Sequence, residues 1–317
     1  MKRYSGNPIL TRESIPEVGN EICNVSSVFN PAAAKIEDRY LLLLRVQTRG
    51  RKTYSMLAES SNGKDFKVIP EIVEFEGLEH IEGKVHHIYD PRITVIENKI
   101  YVTYALDFDN VCRIGLFTTT DFEKMKFIGL IGEDNTRNGV LFPEKFDDSF
   151  YLLERPNEIK VENGPITGNQ IILSKSNDLI NWERVGTVAE GNFHYWDELI
   201  GSGPPPVKTK KGWLHIYHGI ALHYSPVYQA GVMLLDLNDP TKVIARSSQN
   251  ILEPREVYEL TGQVPNVIFP SGLIVEEYDE AGFAKESSEV KLYYGAADTS
   301  VCLAYSNISR LINQCYE

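Results

Sequence analysis

One pattern returns five times along the 317 residues and leaves few folds open to the chain. A strongly apolar run appears as "RYLLLLRV" from Arg39, "KIYVTYAL" from Lys99, "SFYLLERP" from Ser149, "GWLHIYHG" from Gly212 and "VKLYYGAAD" from Val290. Each is followed by another strand-like segment: "YSMLAES", "RIGLFTTTDF", "QIILSKSNDL", "AGVMLLDLNDP" and "VCLAYSNIS". The first three units continue through a polar turn into an aromatic-led segment, as in "NGKDFKVI", "DFEKMKFIG" and "NDLINWERVG". Long helical periodicity is almost absent, and Gly, Asn, Asp and Pro bound the runs, as in an all-β chain. Roughly 60 residues therefore hold about four strands, repeated as blades around a central channel would be. A pair of β-sandwiches also spaces its strands regularly, but five matching units exceed what one sandwich needs. The expected architecture is all-β, a single five-bladed β-propeller spanning 1–317 with a short C-terminal helix in "RLINQCYE". That tail, with Leu311 and Ile312 apolar, would buttress the ring or make a subunit contact in a homo-oligomer.

Before each apolar run lies an X-Pro step: Asn30-Pro31, Asp90-Pro91, Phe142-Pro143, Gly203-Pro204 and Phe269-Pro270. Proline suits the start of a strand, where its missing N–H breaks no ladder and its predecessor is already extended. If these pairs open the inner strands, residues at and just before them converge on one axial pocket. Its expected lining is polar: Asn30, Arg45, Tyr89, Asp90, Arg92, Arg137, Asn138, Arg155, Tyr217, His218 and Asp298. Singly each has a plain structural explanation: Asp-Pro starts turns, Arg155 can pair with Glu154, and His218 can be a satisfied core histidine. Falling together at equivalent blade positions, they favour a site.

The net charge of -12 and pI near 5.2 work against nucleic-acid or anionic-membrane partners, which need a basic face. A neutral, hydroxyl-rich ligand meets no such objection. The four cysteines are far apart and suggest neither a zinc site nor a disulfide framework, so reduced thiols and no metal are expected. "MKRYSGNPIL" lacks the apolar core of a signal peptide, and no stretch approaches about 18 apolar residues. A cytoplasmic protein is expected.

Two chemistries suit such a pocket. Glycoside cleavage needs a carboxylic acid for the leaving oxygen and a second carboxylate, or another nucleophile, opposite. Phosphorolysis uses inorganic phosphate, which needs no base but does need cationic and amide donors. One prominent carboxyl, Asp90, against Arg45, Arg137, Asn138 and His218 leans toward phosphate.

Six motifs, "FNPAA", "LLLLRV", "YDPRIT", "TRNGVLFPEK", "IGSGPPPVKTKKGWLHIYHG" and "YYGAADT", resemble in order those of glycoside hydrolase family 130, the β-mannoside phosphorylases. The resemblance covers nearly the whole chain. It implies a five-bladed propeller and inverting phosphorolysis of β-mannosides to α-mannose 1-phosphate, without metal or organic cofactor, phosphate being a co-substrate. Asp90 resembles the family's general acid, acting through a sugar hydroxyl. Arg45, Arg137, Asn138 and His218 resemble phosphate ligands, and Asn30, Tyr89 and Asp298 resemble residues that hold the mannosyl unit. Arg92, Arg155 and Tyr217 are expected beside them, Arg92 orienting the acid or binding sugar.

One stretch departs from the pattern. "YWDELIGSG" is a residue shorter than the family's Trp-Glu-x-x-Lys-Ile-Gly and lacks its phosphate-binding lysine, so phosphate binding would weaken unless Lys208 or Arg155 supplies the charge. The same family holds β-1,2-mannosidases that use water and extra glutamates. Glu198, Glu253, Glu256 and Asp197 are the candidates for that alternative. A non-catalytic carbohydrate-binding propeller is a third reading, but lectin propellers repeat their site in every blade, whereas here the polar residues differ. Acceptor choice is expected from the loops at 75–88 and 190–200, with "HYWDE" from His194 on the acceptor side. "EEYDEAGFAKESSE" is expected to be a solvated hairpin.

Overall fold

The computed structural model describes residues 1–160, 166–222 and 225–317 and forms five blades of a β-propeller. Blade one runs Val25–Ile36, Arg39–Thr48, Thr53–Ser60 and Lys67–Val68 from axis to rim. Blade two is His87–Ile96, Lys99–Asp107, Cys112–Thr119 and Lys124–Ile131, its rim extended by the parallel strand Glu74–Glu76. Blade three is Thr136–Leu141, Phe150–Pro156, Gln170–Ser176 and Glu183–Glu190. In blade four two short strands, Leu199–Ser202 and Val207–Thr209, share the inner edge of Gly212–Ala221, followed by Val227–Leu235 and Val243–Arg246. Blade five is Ile268–Val275, Glu289–Ala296 and Ser300–Asn307, with Lys2–Arg3 as its rim strand.

The five apolar runs are the second strands. Each is sandwiched between neighbouring blades and covered on both faces, so it reads as continuous apolar sequence rather than alternation. Gly212–Ala221 is buried at every position, whereas the rim strand Glu183–Glu190 is mostly exposed. The polar turns after the third strands share one device. The hydroxyls of Ser60, Thr119 and Ser176 accept from the N–H of Gly63, Phe122 and Leu179 at 2.9–3.0 Å. The aromatic residues that follow pack between blades, as where Phe66 meets the Tyr293 ring edge-on at 5.7 Å.

The C-terminal segment forms the expected helix, Ile308–Gln314, capped by the Asn307 side chain, which accepts from Arg310 N–H at 2.8 Å. Ile308, Leu311 and Ile312 are buried against blades four and five, so the helix buttresses the ring. The acidic insertion is not a free hairpin: Ala284 N–H donates to the Lys208 carbonyl at 2.8 Å and Asp279 pairs with Lys210 at 3.1 Å, docking it on blade four. Among the described residues no helix is long and apolar enough to cross a membrane.

Phe269-Pro270 lies at the start of the inner strand Ile268–Val275 as expected, but the other X-Pro steps do not open theirs. Asn30-Pro31 and Asp90-Pro91 sit inside Val25–Ile36 and His87–Ile96, at bulges where two residues face one. Asn30 and Asp90 have φ of 47° and 53°, the left-handed region, which Asn and Asp tolerate better than other residues with a Cβ. Proline is accepted there because the bulged residue owes the ladder no hydrogen bond. In blade three the same bulge lies between Arg137 and Val140, with Asn138 at φ 55°. The counterpart of Asp90 is thus Asn138, four residues before Phe142.

Candidate functional site

The bulges turn Asn30, Asp90 and Asn138 toward the axis, and the second strands bring Arg45 and Arg155 opposite the residues just before them. With Tyr89, Arg137, His218 and Asp298 they line one axial cavity of about 480 Å³. Asp298 reaches it from the hairpin between Glu289–Ala296 and Ser300–Asn307, whose turn holds Ala297 and Asp298 at φ 47° and 49°.

The wall separates into two chemical groups. On one side Asp90 Oδ1 accepts from Asn30 Nδ2 and Arg45 Nη1, both at 2.9 Å, and Oδ2 has no partner among the described residues. Arg45 is held flat, its guanidinium carbon 4.4 Å from the ring centres of both Phe29 and Tyr89. This ties Arg45 to the carboxyl, and Arg137 stands 5.8 Å from the centre of the same Tyr89 ring, so Arg45 borders both groups. Burial pushes the Asp298 carboxyl up to about 6, opposed by Arg45 and reinforced by Asp90.

On the other side stand Arg137, Asn138, Arg155 and His218, with Tyr228 beside them. Burial holds the His218 imidazole well below its usual range, and Arg155, Arg92 and His215 add to this, so His218 is a neutral donor or acceptor. Arg155 donates to Asn157 Oδ1 at 2.9 Å, and burial lowers its guanidinium only to about 10, so it stays charged at neutral pH. A Cβ at Gly201 would fall 2.5 Å from His218 Cε1 and 2.8 Å from Asn138 Oδ1, which explains the glycine in "IGSG".

Buried polar groups in folded proteins are nearly always hydrogen-bonded. Here Asn30 Oδ1, Asn138 Oδ1, His218 Nδ1 and the Nε atoms of Arg45, Arg137 and Arg155 are buried without a partner among the described residues. All belong to this cavity wall. That concentration is what a site for a polyhydroxylated and anionic ligand requires. Among the described residues no group of three or more His, Cys, Asp or Glu is placed to hold a metal ion.

Two expected residues lie elsewhere. Arg92 is buried beneath the floor, donating to the carbonyls of Gly203 at 2.7 Å and Pro91 at 2.9 Å; it braces the bulge from behind. Tyr217 faces away because alternation along its strand gives the cavity to His218. Its hydroxyl donates to Asp197 at 2.9 Å and accepts from Arg246 at 3.0 Å, between blades three and four. Asp197 is thereby occupied, and Glu198, Glu253 and Glu256 are absent from the wall, so none is a second carboxylate there. Lys208 is held by Glu144 at 2.7 Å, away from the cavity, whereas Arg155 lines it. The 190–200 loop contributes nothing to the wall; Trp196 is tied to the Ser248 carbonyl at 3.0 Å.

Reading the sequence missed Asp107 and Tyr228. Asp107 Oδ1 accepts from the Tyr89 hydroxyl at 2.8 Å and Arg137 Nη2 at 3.1 Å, so it fixes both. It closes a second strand and Tyr228 opens a third, positions where the repeat offers no signal. Val264, Val267 and Phe269 add an apolar side.

A family model described as β-1,4-mannooligosaccharide phosphorylase matches residues 1–317. The β-1,4-mannooligosaccharide phosphorylase of Ruminococcus albus is 29% identical over 98% of this chain and 89% of its own length. The 1,2-β-oligomannan phosphorylase of a Thermoanaerobacter species is 31% identical, covering 96% of each. Among solved structures, β-1,2-mannobiose phosphorylase from Listeria innocua in complex with β-1,2-mannobiose superposes with a TM-score of 0.84 at 26% identity, covering 99% of this chain and 98% of that one.

Proposed function

Because this chain belongs to glycoside hydrolase family 130, we propose that it cleaves a terminal β-mannosidic bond with inorganic phosphate, inverting the anomeric centre to give α-mannose 1-phosphate. Asp90 is the acid, and Asn30, Arg45 and Asp298 hold the mannosyl unit around it. Arg137, Asn138, Arg155, His218 and Tyr228 hold phosphate, with Asp107 and Tyr89 keeping Arg137 in place. The glycosidic C1–O bond breaks as a phosphate oxygen bonds to C1 from the opposite face. The leaving oxygen takes its proton from Asp90 through a sugar hydroxyl, and the proton released by the new phosphate ester restores the acid.

The observation that carries this reading is the grouping of Arg137, Arg155, His218 and Asn138 with no free carboxylate beside them among the described residues. Asp107, the acid alongside among the described residues, is already bound to Arg137 and Tyr89. Inverting hydrolysis needs a carboxylate base on a water opposite the acid. The glutamates that could serve are not in the wall, which places the mannosidase second. A lectin-like role suits this single asymmetric site least. We read 1–317 as one catalytic domain, and four free thiols support a cytoplasmic setting.

Incubating the protein with β-1,2- and β-1,4-mannobiose and mannosyl-glucose, with and without phosphate, tests this. Mannose 1-phosphate forming only with phosphate is expected. Free mannose released equally well without it would replace phosphorolysis by hydrolysis, and sugar binding without turnover would leave a lectin.

A further inference from the structure

Arg137 and Arg155 both stand on the phosphate side, but they are held differently. Arg137 pairs with the Asp107 carboxylate at 3.1 Å, which offsets its charge. Arg155 is buried, and its terminal nitrogen donates at 2.9 Å to the neutral Asn157 Oδ1; among the described residues it meets no carboxylate. Asn157 is buried as well, and none of the roles assigned above uses it. We propose that Asn157 is a positioning residue for phosphate: backed by Asn135, it aims Arg155 into the axial cavity and, being neutral, leaves that guanidinium's full charge for the anion. The inference rests on the phosphorylase reading and names the residue that sets the charge of its phosphate site.

The backing fixes which way the Asn157 amide points. Thr136 faces Pro156 across the inner ladder of blade three, so Asn135 and Asn157 meet just beyond its end, where Asn157 N–H donates to the Asn135 carbonyl at 2.9 Å. From blade two, Cys112 N–H donates to the Asn135 side chain at 3.2 Å; a main-chain N–H only donates, so the Asn135 atom there is Oδ1. The Asn157 atom that meets the same oxygen at 3.0 Å is then its Nδ2, and its Oδ1 is left facing Arg155. Behind the arginine the chain is tight: a Cβ at Gly168 would fall 1.9 Å from the Pro156 carbonyl oxygen and 3.3 Å from Arg155 Cγ. Arg155 Nε is buried without a partner among the described residues, so a donor remains for a ligand. A buried guanidinium with a neutral acceptor behind it and no carboxylate beside it gains most from an ionised ligand whose oxygens match its fork. An aspartate at 157 would keep the acceptor but neutralise the arginine.

Mannose 1-phosphate release, with phosphate and a mannobiose varied separately, tests this. Asn157→Ala should raise KM for phosphate roughly tenfold while KM for the mannoside moves by less than about twofold, and Asn157→Asp should raise the phosphate KM further still. In an Arg155→Gln background Asn157→Ala should change the phosphate KM by less than about twofold, because a residue acting through Arg155 has nothing left to act on. Asn135→Ala, which frees the Asn157 amide to turn, should shift the phosphate KM in the same direction and carries the test if Asn157→Ala does not fold. A phosphate KM that stays near the wild-type value, two KM values that rise together with a fall in unfolding midpoint, or effects of Asn157→Ala and Arg155→Gln that multiply would each overturn the assignment. Mannose 1-phosphate made by the wild type keeps phosphorolysis standing in that event. If no mannoside yields it, phosphorolysis fails, and calorimetric titration with inorganic phosphate decides the positioning role: weaker binding by Asn157→Asp than by wild type upholds it, and equal binding, or none by wild type, overturns it.

Discussion

Replacing Asp298 with Asn should stabilise the protein, and more so as pH rises. Burial raises this carboxyl from 3.8 to about 6. The folded state therefore keeps a proton through a range in which the unfolded chain has released it. The stability this group contributes is fully present below pH 3.8 and is lost as pH rises through 6. At pH 8 the shift of about two units corresponds to about 3 kcal/mol of cost against a neutral side chain, and at pH 5 to about half of that. The pH-dependent part is thus about 1.4 kcal/mol, and water in the open cavity should reduce it to about 1 kcal/mol. Asn keeps the shape and never ionises. Urea unfolding of wild type and Asp298→Asn at pH 5 and pH 8 isolates this part, because other titrating groups cancel in the difference. An advantage for the variant that is equal at both pH values, or larger at pH 5, would refute the argument. Mannoside turnover should fall in the same variant, since Asp298 is proposed to hold the mannosyl unit.

Asp90→Asn should lower turnover by about 10²–10⁴-fold while leaving the fold and sugar binding largely intact, since Asn is at home at a positive φ and only the proton is lost; stopped assays with calorimetric binding would check this. Arg137→Ala should raise KM for phosphate at least about tenfold with a much smaller change in KM for the mannoside, and steady-state kinetics varying each substrate would separate the two. Gly201→Ala should act in the same direction by displacing His218 and Asn138, without altering phosphate-independent sugar binding. Tyr217→Phe should cost about 1–2 kcal/mol in denaturant unfolding, because Asp197 and Arg246 each lose a partner, while kcat/KM for a mannoside stays within about twofold.

The architecture was legible because an apolar second strand flanked by turns repeats with little variation, and such strands have one place in a blade. The site was legible where side chain and backbone coincide: Asn and Asp are among the few residues with a Cβ that sit comfortably in the left-handed slot, so Asn30, Asp90 and Asn138 advertise both a bulge and a polar group. Register was not legible. Proline marks a break in the ladder but not whether the break opens the strand or interrupts it, and blade three makes its bulge without proline. One consequence was aligning Phe142 with Asp90. Another was Tyr217, where a shift of one position along a strand exchanges the cavity face for the core. Asp107 and Tyr228 lie at strand ends brought together only by the closed ring.

The clasp between Lys2–Arg3 and Ser300–Asn307 joins the first residues to the last strand, residue 2 opposite residue 305. The pairing spans roughly 300 residues of sequence, so it closes only after the five blades between have come together. Closing so large a loop costs only a logarithm of its length, so the clasp is late rather than weak. It secures the strand that follows the turn carrying Asp298. Replacing Lys2 and Arg3 with prolines, which cannot pair in the ladder, would therefore loosen the cavity wall that carries Asp298 from the far rim of the blade, and the loss should register in sugar affinity before it registers in the fold.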